Sequence, residues 1–243
     1  MKLEGRVALV TGAGIRVGRA LAIALGRERM RVAVHYHASA DGAKETAREI
    51  EKAGGEAELF ADDLTSQRGP SELVQKVATK FGSLAVVVNS AAVMERTPVG
   101  AVTPQIWDSI FALNLRAPFL ISQDAAPIMK KEGGAIVNIA DLAAFESWPA
   151  YIPHSISKAA VVKMTSAMAR VFAPEIRVNA IAPGAVLLPD NWEDDSGERL
   201  VETTPLQRLG SPDDVIDAML YLLKSDFVTG ETIIVDGGRH VRK

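Results

Sequence analysis

Thr11-Gly12-Ala13-Gly14-Ile15-Arg16-Val17-Gly18 sets three glycines and an arginine between an apolar run and a helical repeat. Glycine there lets the backbone approach a pyrophosphate, and a helix start beyond it offers unpaired N–H groups and a positive dipole end. An ordinary strand–helix turn would also use glycine. Its place after the first strand of an alternating chain favours dinucleotide binding. The next apolar run ends in His35-Tyr36-His37-Ala38-Ser39. A carboxylate here would bond the ribose 2′-hydroxyl of NAD(H). None is present, whereas Arg16 and a hydroxyl suit a 2′-phosphate, so the expected cofactor is NADP(H). His35 and His37 share one strand face, but no third ligand is apparent. A strand-end role is expected, with no metal site.

Two further patterns lie later in the chain. Pro118 follows Asn114 by four residues inside a helical repeat. Proline has no N–H to give the Asn114 carbonyl, which is left to hold a water or simply to mark a kink. Ser155-Ile156-Ser157-Lys158 matches S-x-x-K of serine acyl-transfer enzymes. Their companion motifs and G-x-S-x-G are missing, so that chemistry is not expected.

Short β-branched runs alternating with helical repeats must position these residues. Strands are expected at 6–11, 31–36, 56–60, 84–89, 135–139, 176–181 and 232–235. Helices are expected at 16–29, 41–53, 71–81, 104–130, 151–172 and 212–223. Such alternation means βαβ crossovers and a parallel sheet covered on both faces. The polar break at 189–197, with Asp190, Glu193, Asp194 and Asp195, reads as a loop, over a site or simply solvated. The basic end at 239–243 reads as a solvated tail.

The 243 residues are 48% hydrophobic and 23% charged, enough for a full core. Lys plus Arg is 27 against 30 Asp plus Glu, and this weak acidity argues against a nucleic-acid partner. Cysteine is absent, which excludes disulfides and cysteine chemistry and suits a reducing, cytoplasmic compartment. No apolar run approaches a membrane span, and Lys2, Glu4 and Arg6 surround only a short apolar stretch, unlike a secretory signal.

The glycine turn, Asn89-Ser90-Ala91-Ala92, Asn114, Lys158, Pro183-Gly184 and Val235-Asp236-Gly237-Gly238 together resemble the short-chain dehydrogenase/reductase family over nearly the whole chain. The resemblance is closest to the pteridine-reductase branch. That branch has arginine in the turn, as at Arg16, His-Tyr-His after the second strand, and aspartate in place of the catalytic serine, as at Asp141. It implies one Rossmann-type doubly wound α/β domain spanning 1–243, a seven-stranded parallel sheet of order 3-2-1-4-5-6-7, and a homotetramer or homodimer. It implies a small-molecule substrate and a substrate loop within 184–211. It also implies cofactor contacts from Gly12, Gly14, Ile15, Arg16 and Gly18, then from Tyr36, His37 and Ser39. Asp63 and Leu64 would flank the adenine, and Asn89 and Ala91 would border the cofactor. Lys158 would bond the nicotinamide ribose, with Pro183, Gly184 and Val186 beyond. Asn114 would anchor a relay water.

The family's catalytic tyrosine lies four residues before its lysine and thirteen after the serine or aspartate; both counts land on His154. Histidine can also donate a proton. Imidazole is shorter than phenol, and a lysine about 5 Å away would oppose its protonation by ~3 kcal/mol, about two pKa units. An ionised Asp141 would offset that. Asn114, Asp141, His154 and Lys158 are the expected catalytic residues. Tyr151, Trp148 and Phe145 would line the pocket or serve packing. Hydride transfer from NADPH to a C=N or C=O of a small, flat, pterin-like substrate is the expected activity. The alternatives are a carbonyl or 3-oxoacyl-thioester reductase, or an NADP(H)-binding protein that has lost its chemistry.

Overall fold

Seven apolar runs become the strands β1 (Val7–Val10), β2 (Arg31–Tyr36), β3 (Glu56–Ala61), β4 (Val86–Asn89), β5 (Gly134–Ile139), β6 (Ile176–Pro183) and β7 (Thr232–Val235). The computed structural model describes residues 1–187 and 194–241. The strands form one parallel sheet in the order β3-β2-β1-β4-β5-β6-β7. Val10 pairs with Val34 on one side and Val88 on the other, and Asn89 pairs with Asn138.

The intervening helices are α1 (Arg16–Arg27), α2 (Ala40–Lys52), α3 (Gly69–Phe81), α4 (Pro104–Phe111), α5 (Ala117–Met129), α6 (Ile152–Phe172), α7 (Asp194–Glu202) and α8 (Pro212–Lys224). Alternating strand residues feed two cores. Leu9, Val87, Ile136 and Val178 pack with Leu73, Ile121, Met129 and Met164 of α3, α5 and α6. Val10, Val34, Val137 and Ile181 pack with Leu21, Leu25, Ile50 and Met219 of α1, α2 and α8. Burial on both faces is why the strands read as unbroken apolar runs. Among the described residues, no helix is long and apolar enough to cross a membrane.

Three expectations are corrected. The helix expected over 104–130 is α4, a π-helical turn at Ala112–Arg116, and α5. Pro118 removes one N–H, and the Ala117 N–H bonds the Ala112 carbonyl instead, so the helix widens by a residue. The loop expected over 189–197 gives way to α7 from Asp194, while 188–193 lie outside the described residues. The tail expected to be solvated forms a helical turn, Arg239–Val241.

The strand order reverses at β1, which neighbours both β2 and β4. The two crossovers leave on opposite faces there, opening a crevice at the carboxyl ends of the strands.

Candidate active site

That crevice is a cavity of about 820 Å³. Gly12, Ile15, Arg16 and Gly18 form one wall; Tyr36, His37, Ser39, Asp63 and Leu64 form the next. Ala91, Asp141, His154, Lys158, Pro183, Gly184 and Val186 line the remainder. Gly14, Asn89 and Asn114 stand behind the lining. Gly14 packs on Ser39, where a Cβ would come within 2.3 Å of the hydroxyl oxygen. Asn89 ties the sheet together, its Nδ2 donating to Asn138 Oδ1 (2.8 Å) and Ser122 Oγ (3.2 Å).

The glycine turn is held from three sides. Gly12 has φ +65°, and a Cβ there would meet Ala91 Cα at 2.9 Å. A Cβ on Gly18 would come within 2.3 Å of the Gly12 carbonyl oxygen, so α1 can seat against the turn only with glycine here. Thr11 Oγ1 accepts from the Ser90 and Ala91 N–H groups, joining the turn to the end of β4. The Gly12 N–H donates to His35 Nδ1 (3.2 Å), so His35 carries its proton on Nε2 and donates to the Asp62 carbonyl (3.1 Å). Burial pushes the His35 pKa down, as expected for a ring that accepts at one nitrogen. This buried histidine locks β2 to the turn, and no metal-binding cluster occurs among the described residues.

Arg16 adopts φ +53°, a left-handed conformation that glycine takes freely and arginine at a cost of ~1–2 kcal/mol. Its Nη2 donates to the Leu187 carbonyl across the cavity mouth (2.6 Å). The start of α1 has no side-chain cap and no acidic residue in its first turn. An uncapped helix start, with Arg16, His37 and Ser39 beside it, fits a doubly charged pyrophosphate and a further phosphate. Of the lining carboxylates, Asp141 lies beside His154, while Asp63 shares the wall of His37 and Ser39. Asp63 is occupied by the Thr65 N–H and hydroxyl, which hold its pKa down.

The second cluster sits where β4, β5, the π-helical turn and α6 meet. Asn114 Oδ1 accepts from the Val93 N–H (2.9 Å), and Nδ2 donates to the Val93 carbonyl (3.0 Å) and to Ser157 Oγ (3.1 Å). His154 is 2% exposed, with Nδ1 3.1 Å from the same Val93 carbonyl. Its Nε2 has no hydrogen-bond partner and lies 3.6 Å from Asp141 Oδ2. Asp141 is steadied through Oδ1, which accepts from the Ala143 N–H (2.8 Å). Lys158, one turn beyond His154 on α6, donates to the Ile139 carbonyl (2.7 Å). Burial lowers the Lys158 pKa to about 8, with the Asp141 charge acting in the opposite direction.

The S-x-x-K pattern does not assemble: Lys158 lines the cavity, Ser155 does not, and Ser157 Oγ donates to the His154 carbonyl. Trp148 and Tyr151 line the cavity edge to face, ring centres 6.2 Å apart, while Phe145 does not line it and is 47% exposed. Sequence reasoning missed Thr11, the Val93 backbone and Arg239, which lines the cavity from the short helix expected to be tail. Thr11, a hydroxyl closing an apolar strand, could have been found; a backbone carbonyl leaves no trace in the sequence.

Sheet order, switch-point cavity and glycine turn define a Rossmann-type α/β protein. Residues 12–240 match the family model described as enoyl-(acyl carrier protein) reductase. The 3-oxoacyl-[acyl-carrier-protein] reductase FabG of Staphylococcus epidermidis is 31% identical, covering 96% of this chain and 98% of its own. The angucycline C-6 ketoreductase LanV, solved with bound NADP, superposes with a TM-score of 0.92 at 31% identity, covering 99% of this chain and 97% of its own. FolM, alternative dihydrofolate reductase 1 of Brucella canis, solved with NADP, gives a TM-score of 0.93 at 30% identity, covering 100% and 96%. The chain belongs to the short-chain dehydrogenase/reductase family.

Proposed function

We propose that this protein is an NADPH-dependent reductase acting on a C=O or C=N group of a small, flat, partly apolar substrate. The observation that carries this reading is continuity: one cavity runs from Arg16 and the end of β2 to Asp141, His154 and Lys158. LanV and FolM, similar along their whole length, were both solved with NADP. When bound, the cofactor supplies the hydride; the protein supplies orientation and a proton.

The residues divide accordingly. Gly12, Gly14, Ile15 and Gly18 shape the pyrophosphate site, and Arg16, Tyr36, His37 and Ser39 receive the 2′-phosphate. Asp63 and Leu64 border the adenine. Asn89, Ala91, Pro183, Gly184 and Val186 shape the nicotinamide end, and Lys158 holds the ribose. His154 gives the proton through Nε2, and Asp141 balances the charge on its ring. A water held on the Asn114 backbone carbonyl is not required for this route, because the Asn114 side chain already reaches the cluster. Residues 184–211, of which 188–193 lie outside the described residues, are assigned as the substrate-loop region of a single domain, with Leu200 of α7 on the cavity wall. Exposed Phe119 and Ile156 suit a homodimer or homotetramer built on α5 and α6.

Two substrate classes have specific support. The FabG relative favours a 3-oxoacyl thioester or similar ketone. Arg16, His35-Tyr36-His37 and Asp141, with the FolM likeness, favour a pterin. Purified protein should oxidise NADPH in preference to NADH with at least one of a 3-oxoacyl thioester, dihydropterin, quinonoid pterin or a small ketone. Preference for NADH would overturn the reading of Arg16. Tight NADPH binding without turnover on this panel would favour a non-catalytic NADP(H)-binding role.

A further inference from the structure

We propose that Asn114 and the Val93 carbonyl are positioning groups that fix the tautomer of His154. Nε2 is then a bare acceptor when the ring is neutral, and the acid only when it is charged. The inference deepens the reductase reading and rests on it for its catalytic part.

Donor and acceptor capacities decide which ring nitrogen carries the proton. The Asn114 amide can sit only one way round. Its Oδ1 takes the Val93 N–H, and turning it over would set N–H against N–H. Both Nδ2 hydrogens are then committed, one to the Val93 carbonyl and one to Ser157 Oγ. Ser157 in turn spends its own hydrogen on the His154 carbonyl, at 2.7 Å. The remaining contact, Asn114 Nδ2 to His154 Nδ1 at 3.4 Å, has no hydrogen left to fill it. The Val93 carbonyl, 3.1 Å from Nδ1, can only accept. The proton of the neutral ring therefore sits on Nδ1.

That leaves the Nε2 lone pair buried, unpartnered and turned toward Asp141 Oδ2, 3.6 Å away. Neutral His154 has no proton to give at the cavity. Donation requires the imidazolium. As an O–H or N–H bond forms on the substrate, the Nε2–H bond breaks, its electron pair stays on Nε2, and the ring returns to its Nδ1–H form. The cofactor's hydride completes the reduction. In the reverse direction the neutral ring accepts the proton at Nε2. The titratable groups sharing this part of the wall are Asp141, Lys158 and Tyr151.

The test is nitrogen NMR of the intact protein labelled with ¹⁵N-histidine. The chain has four histidines, and the His154 pair is assigned by its loss in His154→Ala. The expected neutral form carries its proton on Nδ1, with Nε2 showing the shift of a bare acceptor. A neutral ring protonated on Nε2 overturns the proposal, and this readout needs no substrate. In Asn114→Ala the preference should weaken by about tenfold, the worth of one hydrogen bond. Reductive kcat should fall by a similar factor with NADPH affinity within about twofold, which also shows that the variant folds. In the wild type, reductive kcat should fall and oxidative kcat should rise as pH increases. Undiminished turnover in His154→Ala would overturn the catalytic part alone, leaving the tautomer result to be judged separately.

Discussion

Lys158→Met should make the protein more stable at neutral pH while abolishing its proposed function. The Lys158 ammonium is buried in the cavity wall, and its pKa falls from 10.5 to about 8. Below pH 8 both folded and unfolded chains hold the proton, so folding carries the full burial penalty. A displacement of about 2.5 units corresponds to about 3 kcal/mol. Methionine removes that penalty but loses the hydrogen bond to the Ile139 carbonyl, at about 1 kcal/mol. The net gain is about 2 kcal/mol at pH 7, or about 4–8 °C in Tm for a chain of this size. Between pH 8 and 10.5 the folded protein gives up this proton while the unfolded chain keeps it. Wild-type stability therefore gains with pH relative to the variant, and the gap should close toward pH 10.5. Thermal unfolding of both cofactor-free proteins over pH 6.5–10.5 measures the difference, in which all shared titrations cancel. A variant less stable than wild type at pH 7, or a gap indifferent to pH, would refute the reasoning.

Arg16→Gly should relieve a left-handed backbone and raise stability by about 1 kcal/mol. It should also weaken NADPH binding by about 10–100-fold and leave NADH binding nearly unchanged; calorimetric titration with both cofactors checks this. Gly18→Ala would press a Cβ to within 2.3 Å of the Gly12 carbonyl oxygen. It should cost about 2 kcal/mol or more and weaken both cofactors alike, as read by chemical unfolding and binding. Asp141→Asn removes the charge facing Nε2. It should lower reductive kcat by about 10–100-fold with NADPH affinity retained, as read by steady-state kinetics and cofactor titration.

The strands and the glycine turn were legible because both rest on local patterns, while the sheet order came with the family resemblance. β-branched runs buried on two faces stay apolar throughout, and Gly18 answers a contact with the Gly12 carbonyl inside its own βα unit. Where geometry depends on partners distant in sequence, legibility fails. Pro118 was visible, but the π-helical turn it sits beside, which carries Asn114 to the Val93 backbone 21 residues earlier, was not. The polar break at 189–197 reads as loop, yet α7 begins inside it at Asp194. His35 read as a strand-end residue, but only the pairing of β2 with β1 and β3 shows Gly12 and Asp62 taking up its two nitrogens. His154 was found by counting from Lys158, but the nitrogen it presents depends on the backbone of Val93, 61 residues earlier.

The central claim is that a histidine works where the family places tyrosine. Steady-state NADPH oxidation by wild type beside His154→Ala, on the acceptor the wild type uses best, tests it most directly. The account predicts a loss of at least 100-fold in kcat with NADPH affinity retained. Equal turnover by the two proteins would contradict it.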